Sequence, residues 1–249
     1  HTPTINLRYD GLNTLMNVYK KLCDRYLGNY YLIDIKKDDL ININGLKDFI
    51  YELSLEEDDN MKRILHIRDK QERKYKRIFN ETNDIKKLEE LMNHKPILDR
   101  KEERRIFNNM KYWKTNYYMK FIFDNCYSPA YADVLKESID NMCNDYLQSL
   151  YWCIHYYLRG CISWRYSYNY YTAPCLSDLY DTIVNMENII VERDNLPYTP
   201  MEQLKMVLPI ESHNLIRDRV DSSKYITDAK ECHILKRYSW ESIPVLPHL

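Results

Sequence analysis

Eight consecutive residues, Trp164-Arg165-Tyr166-Ser167-Tyr168-Asn169-Tyr170-Tyr171, carry five rings and one guanidinium and no aliphatic side chain. Rings at every second position with arginine among them suit the holding of unpaired nucleobases. Every base has a π-face, and one stack on an aromatic ring is worth about 1–3 kcal/mol whatever the base. A core strand would ordinarily use Val, Ile and Leu, yet an aromatic-rich core corner has this same composition. Both readings stand at this level.

Other chemistries find little support. Two-metal hydrolysis needs several carboxylates converging on ions about 3.5–4 Å apart. The acidic runs, Asp38-Asp39, Glu56 to Asp59 and Glu102-Glu103, lie among polar neighbours and are expected to be solvated. No metal site confined to this chain is expected. His66, His94, His155, His213 and His233 share no ligand spacing, and His155 reads as a hydrogen-bonded interior residue. Cys161 and Cys175 flank the aromatic run, but no histidine at a recognisable spacing makes either a nucleophile. The seven cysteines are an odd number with no Cys-x-x-Cys pair, which predicts a reducing compartment, the cytoplasm, rather than a disulfide framework. Glycine occurs only four times, singly, so no glycine-rich phosphate cradle can be built.

The elements that must position the aromatic run follow from apolar spacing. Leu12, Leu15, Met16, Tyr19, Leu22, Cys23 and Tyr26 predict an amphipathic helix stopping at Gly28, and Tyr30 to Ile35 a short extended run. After Asn44-Gly45, Leu46, Phe49, Ile50 and Leu53 mark a second helix. Residues 56–112 are dominated by charge of both signs and predict solvated helices with i,i+4 pairs or a mobile insertion. RNA-backbone tracking by Arg68, Arg73, Lys74 and Arg77 is the competing reading of that stretch. Beyond a loop at Ser128-Pro129, Ile139, Met142, Tyr146, Leu150, Cys153, Ile154 and Tyr157 predict one face of a long helix ending near Gly160. Thr199-Pro200-Met201-Glu202 spells a capping box with proline at the first helical position. Leu204, Val207 and Leu208 are expected to be that helix's buried side, with Pro209 as its end. Short strands are expected over 234–240 and 243–246. The sum is a mainly α, irregular helical domain with a few short β-strands. Net charge is −1, so no global field draws the molecule to nucleic acid, and no apolar run reaches membrane-spanning length.

Three motifs share an order with a known family. They are Tyr146-x-x-x-Leu150-x-Trp152 through Arg159-Gly160-Cys161-x-Ser163-Trp164 to Ser177-Asp178-Leu179, then Pro197 to Pro209, then Trp240 to Pro247. Together they resemble the second conserved region of the XRN family of 5′→3′ exoribonucleases. The likeness covers most of the chain, residues 1–249 reading as one helical domain, with 56–112 least constrained and 113–249 holding the aromatic motif and the C-terminal segment.

The resemblance implies a helical half that closes over an acid-bearing α/β half. It places the catalytic acids, and the Mg²⁺ of the complete enzyme, outside this chain, which alone is expected to bind no metal and to be inactive. The beginning at His1 rather than Met fits a fragment, and the A/T-biased composition hints at a parasite or virus. The implied substrate is single-stranded RNA with a 5′-monophosphate, degraded to nucleoside monophosphates, and the implied partner is the N-terminal nuclease half, with no membrane. Trp164 or Tyr166 would stack on the 5′-terminal base, with Tyr168 beside them. Arg159 and Arg165 would contact phosphate, unless either forms a structural bridge to Asp178. The family often has Trp, Pro and His where this chain has Tyr166, Asn169 and Tyr171. A stand-alone RNA-binding or scaffold module derived from such a nuclease is the alternative.

Overall fold

The computed structural model describes residues 11–81, 98, 100–122, 132–170, 172–194, 196–208, 212, 233–235 and 243–245. The sequence expectations at Ser128-Pro129, Pro209, Tyr171, His94, His213 and Trp240 lie outside these residues. The described residues are mainly helical, as expected, and fall into two compact units. One takes in residues from 1–161 and 167–191, the other from 162–166 and 192–249.

Among the described residues, the first unit holds seven helices: α1 Gly11–Arg25, α2 Ile43–Ser54, α3 Glu57–Glu81, α4 Lys101–Ile106, α5 Trp113–Phe121, α6 Ala132–Arg159 and α7 Leu176–Ile183. Beyond α1, Gly28 takes φ +82° while its N–H donates to the Cys23 carbonyl at 2.8 Å, a left-handed helix stop. The α1 stripe is less buried than its period suggests. Leu22 is fully buried, but Leu12, Leu15 and Met16 are exposed. What ties α1 to α2 is ionic as well as apolar: Lys21 (2.6 Å) and Arg25 both donate to the buried Glu52 carboxylate. These donors hold Glu52 below the usual carboxylate range against the opposing pull of burial.

The core of this unit gathers Met61, Ile106, Trp113, Tyr117, Tyr118, Met142 and Cys175. Three large rings from α5 are buried there, and each polar tip finds a partner, as burial requires. Trp113 Nε1 donates to Asp58 at 2.9 Å, Tyr117 to the Ala173 carbonyl at 2.7 Å, and Tyr118 to Asp178 at 2.7 Å.

The charged stretch corrects the expectation of solvated faces. Arg68, Glu72, Arg100 and Glu103 are buried and form one network joining α3 to α4. Arg100 donates to Glu103 (2.8 Å), Asp69 (2.6 Å) and Glu72 (3.0 Å), while Arg68 donates to the other Glu103 oxygen at 2.6 Å. Arg104 and Lys76 also bind Glu72, each at 2.6 Å. Arg68 is therefore spent on a carboxylate, which removes it from the expected RNA-tracking row. Glu57 is likewise buried rather than solvated. Its carboxylate accepts from the backbone N–H groups of Leu176 (2.6 Å) and Ser177 (3.3 Å), capping α7, and pairs with Lys114 at 2.9 Å.

The face of α6 also differs from expectation. Met142, Cys143, Leu147 and Tyr151 are the buried positions, whereas Cys153 is exposed and Tyr157 is 84% exposed. The C-terminal half of this helix is apolar or aromatic nearly all round, so period alone does not select a side.

The second unit contains α8 Pro200–Val207 and an antiparallel ladder of β1 His233–Leu235 with β2 Ile243–Val245, Ile234 opposite Pro244. The capping box forms as read: the Glu202 N–H donates to Thr199 Oγ1 at 3.3 Å and the Thr199 N–H to the Glu202 carboxylate at 2.7 Å. The expected apolar side of α8 does not. Leu204 and Val207 are exposed, and the short helix is set by its cap rather than by burying those residues.

Candidate nucleic-acid interface

At the end of α6, Gly160 takes φ +102° and its N–H donates to the His155 carbonyl at 3.1 Å, reversing the chain into the aromatic run. After Cys161, Ile162 and Ser163 of the second unit are buried. Ser163 forms a parallel bridge with Asp194. The Asp194 N–H donates to the Ile162 carbonyl at 3.2 Å, and the Trp164 N–H donates to the Asp194 carbonyl at 3.1 Å.

From this pinned backbone the Trp164 indole stands out, 51% exposed. Arg165 follows, its Nε donating to Asp194 Oδ2 at 3.0 Å and its guanidinium lying 4.8 Å from the centre of the Tyr198 ring. The other Asp194 oxygen accepts the Leu196 N–H at 3.0 Å. Tyr166 is half-buried. Trp164, Arg165 and Tyr166 thus belong to one short turn of the second unit, in which the exposed indole offers a face for stacking while the guanidinium lies on Tyr198.

Arg159 and Tyr168 belong to the first unit, where both are engaged in holding it together. The Arg159 guanidinium donates to the carbonyls of Ile35 (3.0 Å), Lys37 (2.7 Å) and Asp38 (3.3 Å), gripping the loop between α1 and α2. Tyr168 packs edge-on against Tyr146 at 5.8 Å and beside Tyr170, and its hydroxyl donates to the Thr172 carbonyl at 2.6 Å. Burial pushes its phenol pKa up. The aromatic run is therefore divided: Trp164 faces solvent, while Tyr168 and Tyr170 pack in the first unit, with Tyr170 against its core. The core-corner reading holds for the Tyr168 to Tyr170 half, while the other half presents an exposed indole.

The expected bridge to Asp178 is corrected. Arg165 pairs with Asp194 and Arg159 with main-chain carbonyls, whereas Asp178 accepts from Tyr118. Burial raises the Asp178 pKa, partly offset by the Tyr118 bond. The interior thiols are no better placed for nucleophilic work. Burial pushes Cys143 up to about 12 and Cys175 well above the ordinary thiol value, the reverse of what thiolate chemistry needs. His155 Nδ1 lies 2.9 Å from the Gly160 carbonyl, so the expected hydrogen bond is present, but the residue is half-buried rather than interior. Among the described residues, no group of three or more His, Cys, Asp and Glu side chains could hold a metal ion, and no helix is long and apolar enough to cross a membrane.

Two residues of this interface escape sequence reasoning. Asp194 is 29 positions from Arg165, and no local pattern couples them. Tyr198 lies within the Pro197 to Pro209 motif, but only the fold places it under a guanidinium.

Comparison with known proteins bears on the same segment. The profile of the Xrn1 helical domain matches residues 99–248. The chain is 28% identical over 182 residues to 5′-3′ exoribonuclease 1 of Schizosaccharomyces pombe, covering 68% of this chain and 13% of that protein. It is 33% identical over 145 residues to 5′-3′ exoribonuclease 1 of Saccharomyces cerevisiae, covering 55% of this chain and 9% of that protein. Over 133 residues it is 29% identical to 5′-3′ exoribonuclease 2 of Schizosaccharomyces pombe, covering 49% of this chain and 13% of the relative. The chain thus spans a small part of the length of each of these relatives.

Proposed function

This chain belongs to the Xrn1 helical-domain family, and from that membership we propose that it is the base-stacking part of a 5′→3′ exoribonuclease acting on 5′-monophosphorylated single-stranded RNA. The observation that carries the proposal is Trp164, a half-exposed indole on a backbone fixed by two hydrogen bonds to Asp194. An indole held in place costs little conformational entropy when a base lies on it, and the stack tolerates any base, which a processive nuclease requires. Tyr166, two residues on in the same turn, is the second ring proposed to face the substrate.

Arg159 and Tyr168 are proposed to act on RNA only indirectly, since their polar groups hold the first unit together. The described residues do not fit a Mg²⁺ site, because no cluster of donors converges. No chemical step is assigned to an ion held by them. The hydrolytic acids and their metal are proposed to reside in an acid-bearing nuclease half, with which this chain closes the active site. Nucleoside monophosphates would then leave one at a time as the next base moves onto the indole.

The test is decay of 5′-monophosphorylated RNA by this chain joined to such a half, with and without Trp164→Ala plus Tyr166→Ala. Loss of one stack at about 1–3 kcal/mol corresponds to a fall of roughly 5- to 150-fold in turnover efficiency. Undiminished decay in the double variant would remove the stacking role. Tight RNA binding by this chain with no gain of activity on joining would favour a stand-alone module.

A further inference from the structure

Beyond the buried Ile162 and Ser163, the turn that presents Trp164 has exposed or half-buried side chains, yet its position matters for any ligand lying on the indole. What fixes it is one residue used four ways. Asp194 accepts the Trp164 N–H through its carbonyl (3.1 Å) and donates its own N–H to Ile162 (3.2 Å). Its carboxylate takes Arg165 Nε on one oxygen (3.0 Å) and the Leu196 N–H on the other (3.0 Å). Two strand-like backbone bonds alone make a short bridge that frays easily, since an isolated pair lacks the neighbours that give a ladder its cooperativity. The side-chain bonds close the same junction from outside. Arg165 is held from its other side by the Tyr198 ring at 4.8 Å, and Tyr198 is followed directly by the Thr199 capping box. The chain of contacts therefore runs from the α8 cap through Tyr198, Arg165 and Asp194 to the backbone of Trp164.

We infer that Asp194 and Arg165, with Tyr198 beneath, are positioning residues that hold the Trp164 indole in one orientation, and that Arg165 serves RNA through this clamp rather than by touching phosphate. The geometry favours this over a direct phosphate contact. Arg165 spends Nε on a carboxylate and one face of its guanidinium lies on a phenol ring, so the Nε edge that a bidentate phosphate contact would use and one face are engaged within the protein. The consequence for binding rests on the stacking role of Trp164, but the clamp itself is measurable without RNA.

The experiment uses the whole 249-residue chain labelled with 5-fluorotryptophan, whose four tryptophans give separate fluorine resonances. Trp164→Phe assigns the signal of interest. Trp113, buried in the core of the first unit, reports that this unit stays folded. Asp194→Asn removes the charge but keeps an acceptor for the Leu196 N–H, and Arg165→Met keeps the stem but not the fork. Each is expected to shift or broaden the Trp164 resonance with the Trp113 resonance unmoved, and the exchanged pair Arg165→Asp with Asp194→Arg to bring it back towards its original position. Titration with a 5′-phosphorylated oligouridylate is expected to show weakening of roughly two- to fivefold for each single variant, the range of a partly exposed ion pair, and recovery in the exchange. A Trp164 resonance unmoved by either single variant overturns the clamp, as does failure of the exchange to restore it. RNA affinity lost in both single variants and not regained in the exchange, with the resonance restored, would make Arg165 a direct contact and overturn the assignment. If instead Trp164→Phe and Trp164→Ala leave affinity unchanged, the stacking role fails while the spectroscopic result still judges the clamp.

Discussion

Replacing Arg100 with methionine should destabilise the first unit far more than any exposed arginine of the same stretch. The Arg100 side chain is 2% exposed and reaches three carboxylates, Glu103, Asp69 and Glu72, two of them equally buried. Breaking a buried pair by deleting one partner costs about 3–5 kcal/mol, because the surviving charge is stranded. Here the stranding is incomplete: Glu103 keeps Arg68 at 2.6 Å, and Glu72 keeps Arg104 and Lys76 at 2.6 Å. That places the loss at the lower end, about 3 kcal/mol, with methionine filling most of the vacated stem volume. For a chain of this size the melting temperature should fall by roughly 6–12 °C. Thermal unfolding followed by circular dichroism reads the change, with Arg73→Met as comparison, since Arg73 is exposed and its bond among the described residues is to the Asp69 carbonyl. The Arg73 change should stay within about 0.5 kcal/mol. High salt should leave the Arg100 effect nearly intact, because buried pairs are screened little. Equal melting temperatures for the two variants would refute the reasoning that this network holds α3 to α4.

Glu57→Gln should cost about 1–2 kcal/mol, since the α7 N–H groups keep a weaker acceptor while Lys114 loses its nearest carboxylate and keeps Ser177. Burial draws the Lys114 pKa down, but Glu57 more than offsets it and the net is a rise. That contribution is complete below the ordinary lysine range and fades as pH climbs through the raised pKa, so Glu57→Gln should lower the Lys114 pKa in a nitrogen-detected titration. For Glu72, burial raises the pKa, yet Lys76 and Arg104 outweigh it and the net is a lowering. Its stabilisation is therefore present above the unfolded carboxylate pKa and lost as pH falls through the depressed one. Glu72→Gln should flatten the fall of stability between about pH 5 and pH 3, measured by urea unfolding. An unchanged slope would count against that linkage.

What could be read from sequence was mostly local. The Thr199 to Glu202 box and the stops at Gly28 and Gly160 depend on a few neighbouring residues and stand as read. The aromatic run left two readings open, and the structure divides it, with Trp164 exposed and Tyr170 packed against a core. What escaped reading was set by distant partners. Arg68 and Glu103 are 35 positions apart, and a charge run gives no sign of which of its members will be buried against another. Glu57 looked like a solvated acid because the N–H groups it caps lie 119 residues away. The rotation of α6 reflects a helix with too many apolar residues for its period to choose a face. Asp194 lies two residues after Glu192 in an irregular segment, and only the backbone brought beside it tells the two acids apart.

The most direct measurement is photocrosslinking of a 5′-monophosphorylated RNA carrying 4-thiouridine as its first nucleotide, with the modified residue of this chain mapped by mass spectrometry. Adducts on Trp164, with or without Tyr166, are the predicted result, lost when the label is moved several nucleotides downstream. Adducts confined to other residues, or independent of the label's place in the strand, would contradict the assignment of this indole to the leading base.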